Sequence, residues 1–475
     1  MKKIKLFFIS FLLTFTLFNI NVYASTSEMR AAWISTVYNL DWPSESSKGN
    51  VTNQKKEFID ILEKLKSIGI NTVVVQVRPK GDALYKSSIN PWSDVLTGTQ
   101  GKNPGYDPLK FMINEAHKRG MEFHAWFNPY RVTTSGTNLN SLAGNHPARQ
   151  NPDWIITYNR AMYYNPENAN VKQHIVDTVK EVVSNYDVDG IHFDDYFYPE
   201  KYPLPEGEDK DGEVANLRRE HVNEMVRSVR DAIKSIKPSV KFGISPGGIW
   251  KNKSSDITGS DTRGNESYYS VYADTRTWIK NKWIDYIVPQ LYWQIGYVPA
   301  DYQKLVEWWS NEVKGTGVDL YIGQGIYKEE VSQQIEQQID LNRKYDTIKG
   351  HMYFTTNNII QDPGLQQRIK LLNNVGWIYE NDNWYYRDLN SKKVTGWLNL
   401  NDIWYYLDES GAMKTGWLNL NDIWYYLDES GAMKTGWLNL KNTWYYLDES
   451  GAMKTGKVKI ENKYYYFDKN GVWIP

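Results

Sequence analysis

Along residues 25–375, short apolar runs with an alternating pattern are separated by stretches whose apolar positions recur every three or four residues. That is the signature of β-strands interleaved with amphipathic helices. Eight strands are predicted, over residues 31–38, 72–78, 121–128, 190–196, 240–245, 286–293, 320–324 and 350–355. Between the first two, Phe58, Ile61, Leu62, Leu65 and Ile68 keep one helix face, and Asp107-Pro108 opens a helix that Gly120 ends. Eight strands each followed by a helix predict an α/β fold, a (β/α)8 TIM barrel. The stretch exceeds the ~250 residues typical of that barrel, so insertions are expected at 131–164 and 199–217. The competing arrangement is an open doubly wound sheet, but no glycine-rich dinucleotide fingerprint follows any strand.

The alternation also sorts side chains. Val73, Val75 and Val77 oppose Thr72, Gln76 and Arg78; Phe123, Ala125 and Phe127 oppose His124, Trp126 and Asn128; Ile191 and Phe193 oppose His192, Asp194 and Tyr196. The apolar set must pack on helices, which leaves the polar set for the barrel axis. The sixth strand adds Gln290, Tyr292 and Trp293, and the seventh ends at Gln324. Barrel chemistry sits at the C-terminal strand ends, so these residues are candidates for substrate contact. For His124 and His192 a hydrogen-bonded core role stays open beside that reading.

The C-terminal stretch has a different period. GWLNLNDIWYYLDESGAMKT begins at Gly396 and again at Gly416, with a near copy at Gly436 and degenerate copies at Gly376 and Gly456, so five units of 20 fill residues 376–475. Each unit reads as a hairpin, with an aromatic strand over 404–407, a turn at 408–411 and a return to Lys414. Such a unit cannot bury its own face, so neighbours must stack. The seams are then lined by Trp397, Trp404 and Tyr406, by Trp417, Trp424 and Tyr426, and by Trp437, Trp444 and Tyr446. These rings are either the core of the array or cages for a ligand.

At the other end Lys2, Lys3 and Lys5 precede the apolar run 6–18, and Val22-Tyr23-Ala24 offers a cleavage site. Residues 1–24 are expected to be a signal peptide, and the mature protein to be secreted, extracellular and soluble. Three domains follow: the signal, a barrel over 25–375 and the array over 376–475. Lys plus Arg number 55 against 56 Asp plus Glu, a net charge of −1, which argues against a nucleic-acid partner. The chain has no cysteine, so disulfides, thiolate metal sites and a Cys nucleophile are excluded. No HExxH pair or other ligand spacing appears, so neither metal nor cofactor is expected. The 20 Trp and 35 Tyr supply flat faces suited to sugar rings and cations.

The most informative segment is DGIHFDDYFYP, residues 189–199, where two acids close an apolar strand. Glycoside hydrolysis uses two carboxyl groups, one protonated to assist the leaving oxygen and one ionised. Asp194 is the leading catalytic residue. Asp195, Asp41 and Asp82 are candidates for its partner, and repulsion between adjacent acids would separate the pKa values of Asp194 and Asp195. By alternation Asp195 points away unless the strand has already ended.

Two resemblances add to this. AAWISTVYNLDWP, QVRPKGDALYKS, EAHKRGMEFHAWFNPYR, DGIHFDDYFYP and PQLYW resemble the bacterial glycosyl-hydrolase-like family related to family 10 barrels. The resemblance implies a hydrolase of bacterial envelope glycans, including peptide-stripped peptidoglycan. Carried over, its site is Asp194 and Asp195, with Arg78, Asp82, His124, Asn128, Arg131, Gln290 and Tyr292 around the sugar. The repeats, with TGW, WYYLD and SGAMKTGW, resemble choline-binding-type cell-wall-binding repeats, which implies cages for choline on teichoic acids or for another wall polymer. A chitinase-type DGxDxDxE strand is met only at Asp189, Gly190 and Asp194; His192 and Tyr196 stand where its other acids would be. The expected function is therefore a wall-anchored glycosidase. The alternative is a non-catalytic wall-binding protein with a sugar-binding barrel, and a metal-dependent amidase or deacetylase ranks last.

Overall fold

The computed structural model describes residues 28–373, 376–388, 392–400 and 402–475. The predicted signal peptide lies outside the described residues. By contact the described chain divides into two compact units, one of Glu28–Gly396 with Leu407–Met413 and one of Trp397–Tyr406 with Lys414–Pro475. No helix among the described residues is long and apolar enough to cross a membrane.

Eight strands form the barrel: β1 (Met29–Ile34), β2 (Thr72–Arg78), β3 (Glu122–Phe127), β4 (Gly190–Phe193), β5 (Lys241–Ile244), β6 (Tyr286–Ile287), β7 (Asp319–Gln324) and β8 (Ile348–Tyr353). They close in the order β1-β8-β7-β6-β5-β4-β3-β2, every neighbouring pair parallel. Helices such as Val51–Ser67, Pro108–Lys118, Ala169–Asn185 and Glu213–Ile236 cover the outside. The first two start where Asn50 and Asp107 accept the N–H of Asn53 and Lys110. Every predicted strand exists, but several stop early. β1 ends before a left-handed turn at Tyr38 and Asn39, and β6 leaves the ladder where Pro289 has no N–H to give.

Alternation holds through most of the barrel. Ala32, Val73, Val75, Phe123, Ala125, Ile191, Phe242 and Ile287 face the helices in one large apolar cluster. Ala31, Trp33, Val74, Trp126, Tyr286, Val288, Tyr321 and Met352 fill the axis in a second. The axis is thus a packed core with polar groups threaded into it, His124, His192 and Tyr286 bonding one another through the Tyr286 hydroxyl. Two glycines make room for this. A Cβ on Gly243 would lie 2.0 Å from the Tyr286 ring, and one on Gly190 would lie 2.6 Å from His124 Nδ1. Gly243→Ala should therefore cost about 3 kcal/mol of stability by overpacking, read as a lower midpoint in denaturant with unchanged slope.

In the array, hairpins pair Gly376–Glu380 with Asn383–Arg387, Gly416–Leu420 with Ile423–Leu427, Gly436–Leu440 with Thr443–Leu447 and Gly456–Ile460 with Lys463–Phe467. Gly396–Leu400 and Ile403–Leu407 form another such sheet. This corrects the turn expected at 408–411 and its equivalents. The tight turn falls at Asn421-Asp422 and at Lys441-Asn442, where both residues take positive φ, the geometry of a type I′ hairpin. The DESG stretch is a loop instead, folded around Asp428, whose Oδ1 accepts from the N–H groups of Ser430 and Ala432. It hands the chain to the next unit, where Met453 N–H donates to the carbonyl of Trp424 at 2.8 Å.

Candidate active site

β4 ends at Phe193, so the alternation that would have pointed Asp195 away has stopped, and both acids stand at the C-terminal mouth of the barrel. Asp194 is 5% exposed. Its Oδ2 accepts from Trp126 Nε1 at 3.2 Å and from Asn128 Nδ2, and its Oδ1 from the Tyr196 backbone N–H at 3.2 Å. Asn128 is itself aimed, because its Oδ1 accepts from Gln76 Nε2 while Gln76 Oε1 accepts from the N–H groups of Thr36 and Val37 at 3.0 and 2.8 Å. A relay of two amides thus fixes the carboxyl from the loop after β1. Burial, then the charge of Asp195, pushes Asp194 up to about 7.

Asp195 is half-buried and bounds a cleft of about 160 Å³. Burial raises its pKa as well, against a hydrogen bond from the Gln290 side chain. Gln290 Nε2 also donates to the carbonyl of Ser245 at 2.9 Å, which holds the amide at the wall. Arg131, 9% exposed, draws both acids down, and its guanidinium lies 4.1 Å over the half-exposed Tyr196 ring. Tyr292 stacks on Phe354 at 5.9 Å, and burial together with the negative charge of Asp195 keeps its hydroxyl protonated.

The structure therefore gathers Trp126, Asn128, Arg131, Tyr196, Gln290 and Tyr292 around the acid pair. Four other predicted residues stand apart. Arg78 is turned away by an irregularity between Gln76 and Arg78, which makes it a partner of the outward-facing Phe127. Its guanidinium donates to the carbonyls of Asn128 and Pro129 and lies 3.3 Å from His174 Nε2. Asp82 is fully buried, accepting from Lys80 N–H and Gln100 Nε2 at 3.3 and 3.1 Å. His124 lies four residues below Asn128, about 13 Å at ~3.3 Å per residue. It is fully buried against the Tyr286 hydroxyl and Glu122, which makes it a core histidine. Trp293, one residue beyond Tyr292, packs on the outer apolar cluster. Asp41 also has another task, since its carboxylate accepts from the N–H groups of Ser35 and Asn357 and ties the loop after β1 to the first turn of the helix that follows β8, Thr356–Gln361. Burial raises it to about 6.

In the array Trp397 meets Trp404 and Tyr406 of its own hairpin, with centroids 6.3 and 5.2 Å away, and Tyr425 of the next at 5.0 Å. Trp417 repeats this with Trp424, Tyr426 and Tyr445, and Trp437 with Trp444, Tyr446 and Tyr465. The ring across each seam is therefore the middle aromatic of the next strand, in place of the expected Trp417, Trp424 and Tyr426 facing the first group. In the last unit Lys457 stands where the others have Trp, and its Nζ lies 4.4 Å over the Tyr464 ring. There the chain supplies a cation of its own.

A closed parallel barrel with two acids at the end of β4, walled by amides and aromatic faces, is the architecture of a glycosyl hydrolase-like protein, here followed by an aromatic hairpin array. The chain belongs to the family described as Glycosyl hydrolase-like 10, whose model matches residues 28–340. The choline-binding repeat matches residues 394–435, 414–457 and 434–472, and a cell wall binding repeat matches 375–390. Glycosyl hydrolase YngK of Bacillus subtilis (strain 168) is 46% identical over 358 residues, 71% of this chain and 70% of that protein. Glycosyl hydrolase DigH of Escherichia coli (strain K12) is 43% identical over 387 residues, 73% of this chain and 87% of its own length. Among solved structures, CbpJ from Streptococcus pneumoniae TIGR4 is 48% identical with a TM-score of 0.21, over 21% of this chain and 35% of that one. This chain thus spans about a third of that structure.

Proposed function

We propose that this protein is a secreted, wall-associated glycoside hydrolase that cuts bacterial envelope glycan, peptidoglycan strands stripped of stem peptides in particular. Asp194 is the general acid and Asp195 the ionised carboxylate facing the positive charge that develops at the anomeric carbon. The observation that carries this reading is the split between the two acids. Asp194 is sunk among Trp126 and Asn128 and holds its proton to about pH 7, whereas Asp195 is half-buried at the cleft wall under the Gln290 amide. Arg131 and Tyr196 line the approach, and Tyr292 offers a fixed hydroxyl and a ring face. The cages of the array take a quaternary ammonium such as choline on teichoic acid, since a cation without hydrogen-bond donors is best held by aromatic faces. The names of the relatives, both glycosyl hydrolases, support the reaction class.

The reading carries a pH signature. An acid catalyst works while it holds its proton, so activity on a soluble glycan should fall as pH rises through about 7. Asp195→Asn removes the negative neighbour that helps keep Asp194 protonated. Its slower residual activity should therefore lose its alkaline limb at a pH lower by about one unit. A limb that stays in place in the kcat/KM profile would mean that Asp195 is not the charge acting on Asp194.

A further inference from the structure

The cleft beside Asp195 contains two groups that the reaction above does not use. Ser267 lines this cleft and is only 3% exposed, and its buried Oγ has no hydrogen-bond partner. A buried hydroxyl without a partner costs stability unless something else satisfies it. Glu200 stands on the same wall, its Oε1 accepting from Asn265 Nδ2 at 3.1 Å. Gly247 faces Ser267 and leaves the floor open; a Cβ there would come within 3.6 Å of the Ser267 Cβ. The cleft of about 160 Å³ has room for a sugar substituent or part of a ring, and it offers two carboxylates and a free hydroxyl. Such a lining accepts hydroxyl and amide protons and repels an anion.

Asn265 and Ser270 are shared with a second cleft of about 320 Å³, which Lys201, Tyr202 and Tyr269 also line. The character changes there. Lys201 is an exposed cation whose ion pair with Glu200 is loose at 3.8 Å, and the two tyrosine rings already carry cations of the chain, Lys210 Nζ 4.0 Å over Tyr269 and the Arg218 guanidinium 4.9 Å over Tyr202. Glu266 also lines this cleft, but its carboxylate is engaged by the Asn252 N–H at 2.8 Å.

We infer that these joined clefts read an alternating glycan in register: the pocket of Asp195, Glu200 and Ser267 takes a neutral, hydroxyl-bearing sugar, and the cleft of Lys201, Tyr202 and Tyr269 takes a neighbour that carries a carboxylate. The inference rests on the hydrolase reading for its polymer and adds which of the two sugars stands beside Asp195. A strand laid the other way would bring its carboxylate against Asp195 and Glu200. The cut therefore falls on one of the two linkages only.

The test uses the full chain. Calorimetric titration with a neutral β-1,4-linked N-acetylglucosamine tetramer is expected to show binding that Ser267→Ala and Glu200→Gln each weaken about fivefold, the loss of one hydrogen bond. Lys201→Glu should leave that affinity as in wild type and weaken soluble, carboxylate-bearing peptidoglycan strand fragments at least tenfold. Mass spectrometry of wild-type digests should find one kind of reducing end. The inference is overturned if the tetramer does not bind, if neither pocket variant weakens it, if Lys201→Glu weakens both ligands alike, or if both kinds of end appear. Glu200 and Lys201 are exposed, so those variants keep the test open should Ser267→Ala fold poorly. If wild type cuts no strand while the binding pattern holds, the hydrolase reading fails and the two subsites stand.

Discussion

Asp194→Asn should release oligosaccharides from peptide-stripped peptidoglycan strands at about one-thousandth of the wild-type rate, while the protein is still retained on the wall. The magnitude is what a positioned proton donor contributes to breaking a glycosidic bond. An amide is isosteric with the carboxyl, so the oxygen of the substituted side chain can still accept from Trp126 Nε1 and Asn128 Nδ2 and the mouth keeps its shape. What is lost is the transferable proton. A second measurement separates this from damage to the fold. In wild type the folded carboxyl releases its proton near pH 7, whereas an unfolded aspartate does so near 3.9. Between those values the folded state binds more protons than the unfolded one, so stability falls as pH rises. Asp194→Asn removes that slope, and its melting temperature should vary less than that of wild type between pH 4 and 7. A variant that keeps its catalysis would remove Asp194 from the chemistry; one that keeps the slope would mean that the carboxyl is not perturbed as its surroundings imply.

The architecture was legible because period-two alternation reports which face of a strand meets the helices, and each predicted strand overlaps an observed one. The acid pair was legible for the same reason, since two aspartates after Ile191 and Phe193 have no place in an apolar strand. Other residues were hidden by events that a strict period does not encode. One irregularity in β2 reversed the face of Arg78. His124 shares the inward face with Asn128, and only its depth, set by where β3 ends, removes it from the mouth. Glu200 and Ser267 are brought to Asp195 by long loops, so spacing along the chain is silent about them; the one available signal was an acid five residues past Asp195. In the array the Asn-Asp pair before three of the five aromatic strands was a readable turn signal. The expectation placed the turn at the more conspicuous DESG, whose Asp folds a loop instead.

Replacing Trp397, Trp417 and Trp437 together by Ala should reduce retention on choline-bearing walls by a factor of about 10² or more and leave cleavage of a soluble glycan unchanged. Each of these rings is the common member of its cage, meeting two rings of its own hairpin and the middle aromatic of the next strand, to which Trp437 adds Phe467 and Trp473. A single aromatic–cation contact supplies only about 0.5–2 kcal/mol, so one cage alone is weak. Cages on one array act at high local concentration on a polymer that repeats its ligand, and linked weak sites gain about 10²–10⁴ over one. Loss should therefore be steep in the number of cages removed, modest for Trp417→Ala and near complete for the triple variant. Free choline should elute wild type by competing at every cage at once. The terminal unit sets a limit on this count, because Lys457 already lies over Tyr464 and opposes a second cation there. Equal loss of retention from one substitution and from three would show that a single cage, and no avidity, holds the protein to the wall.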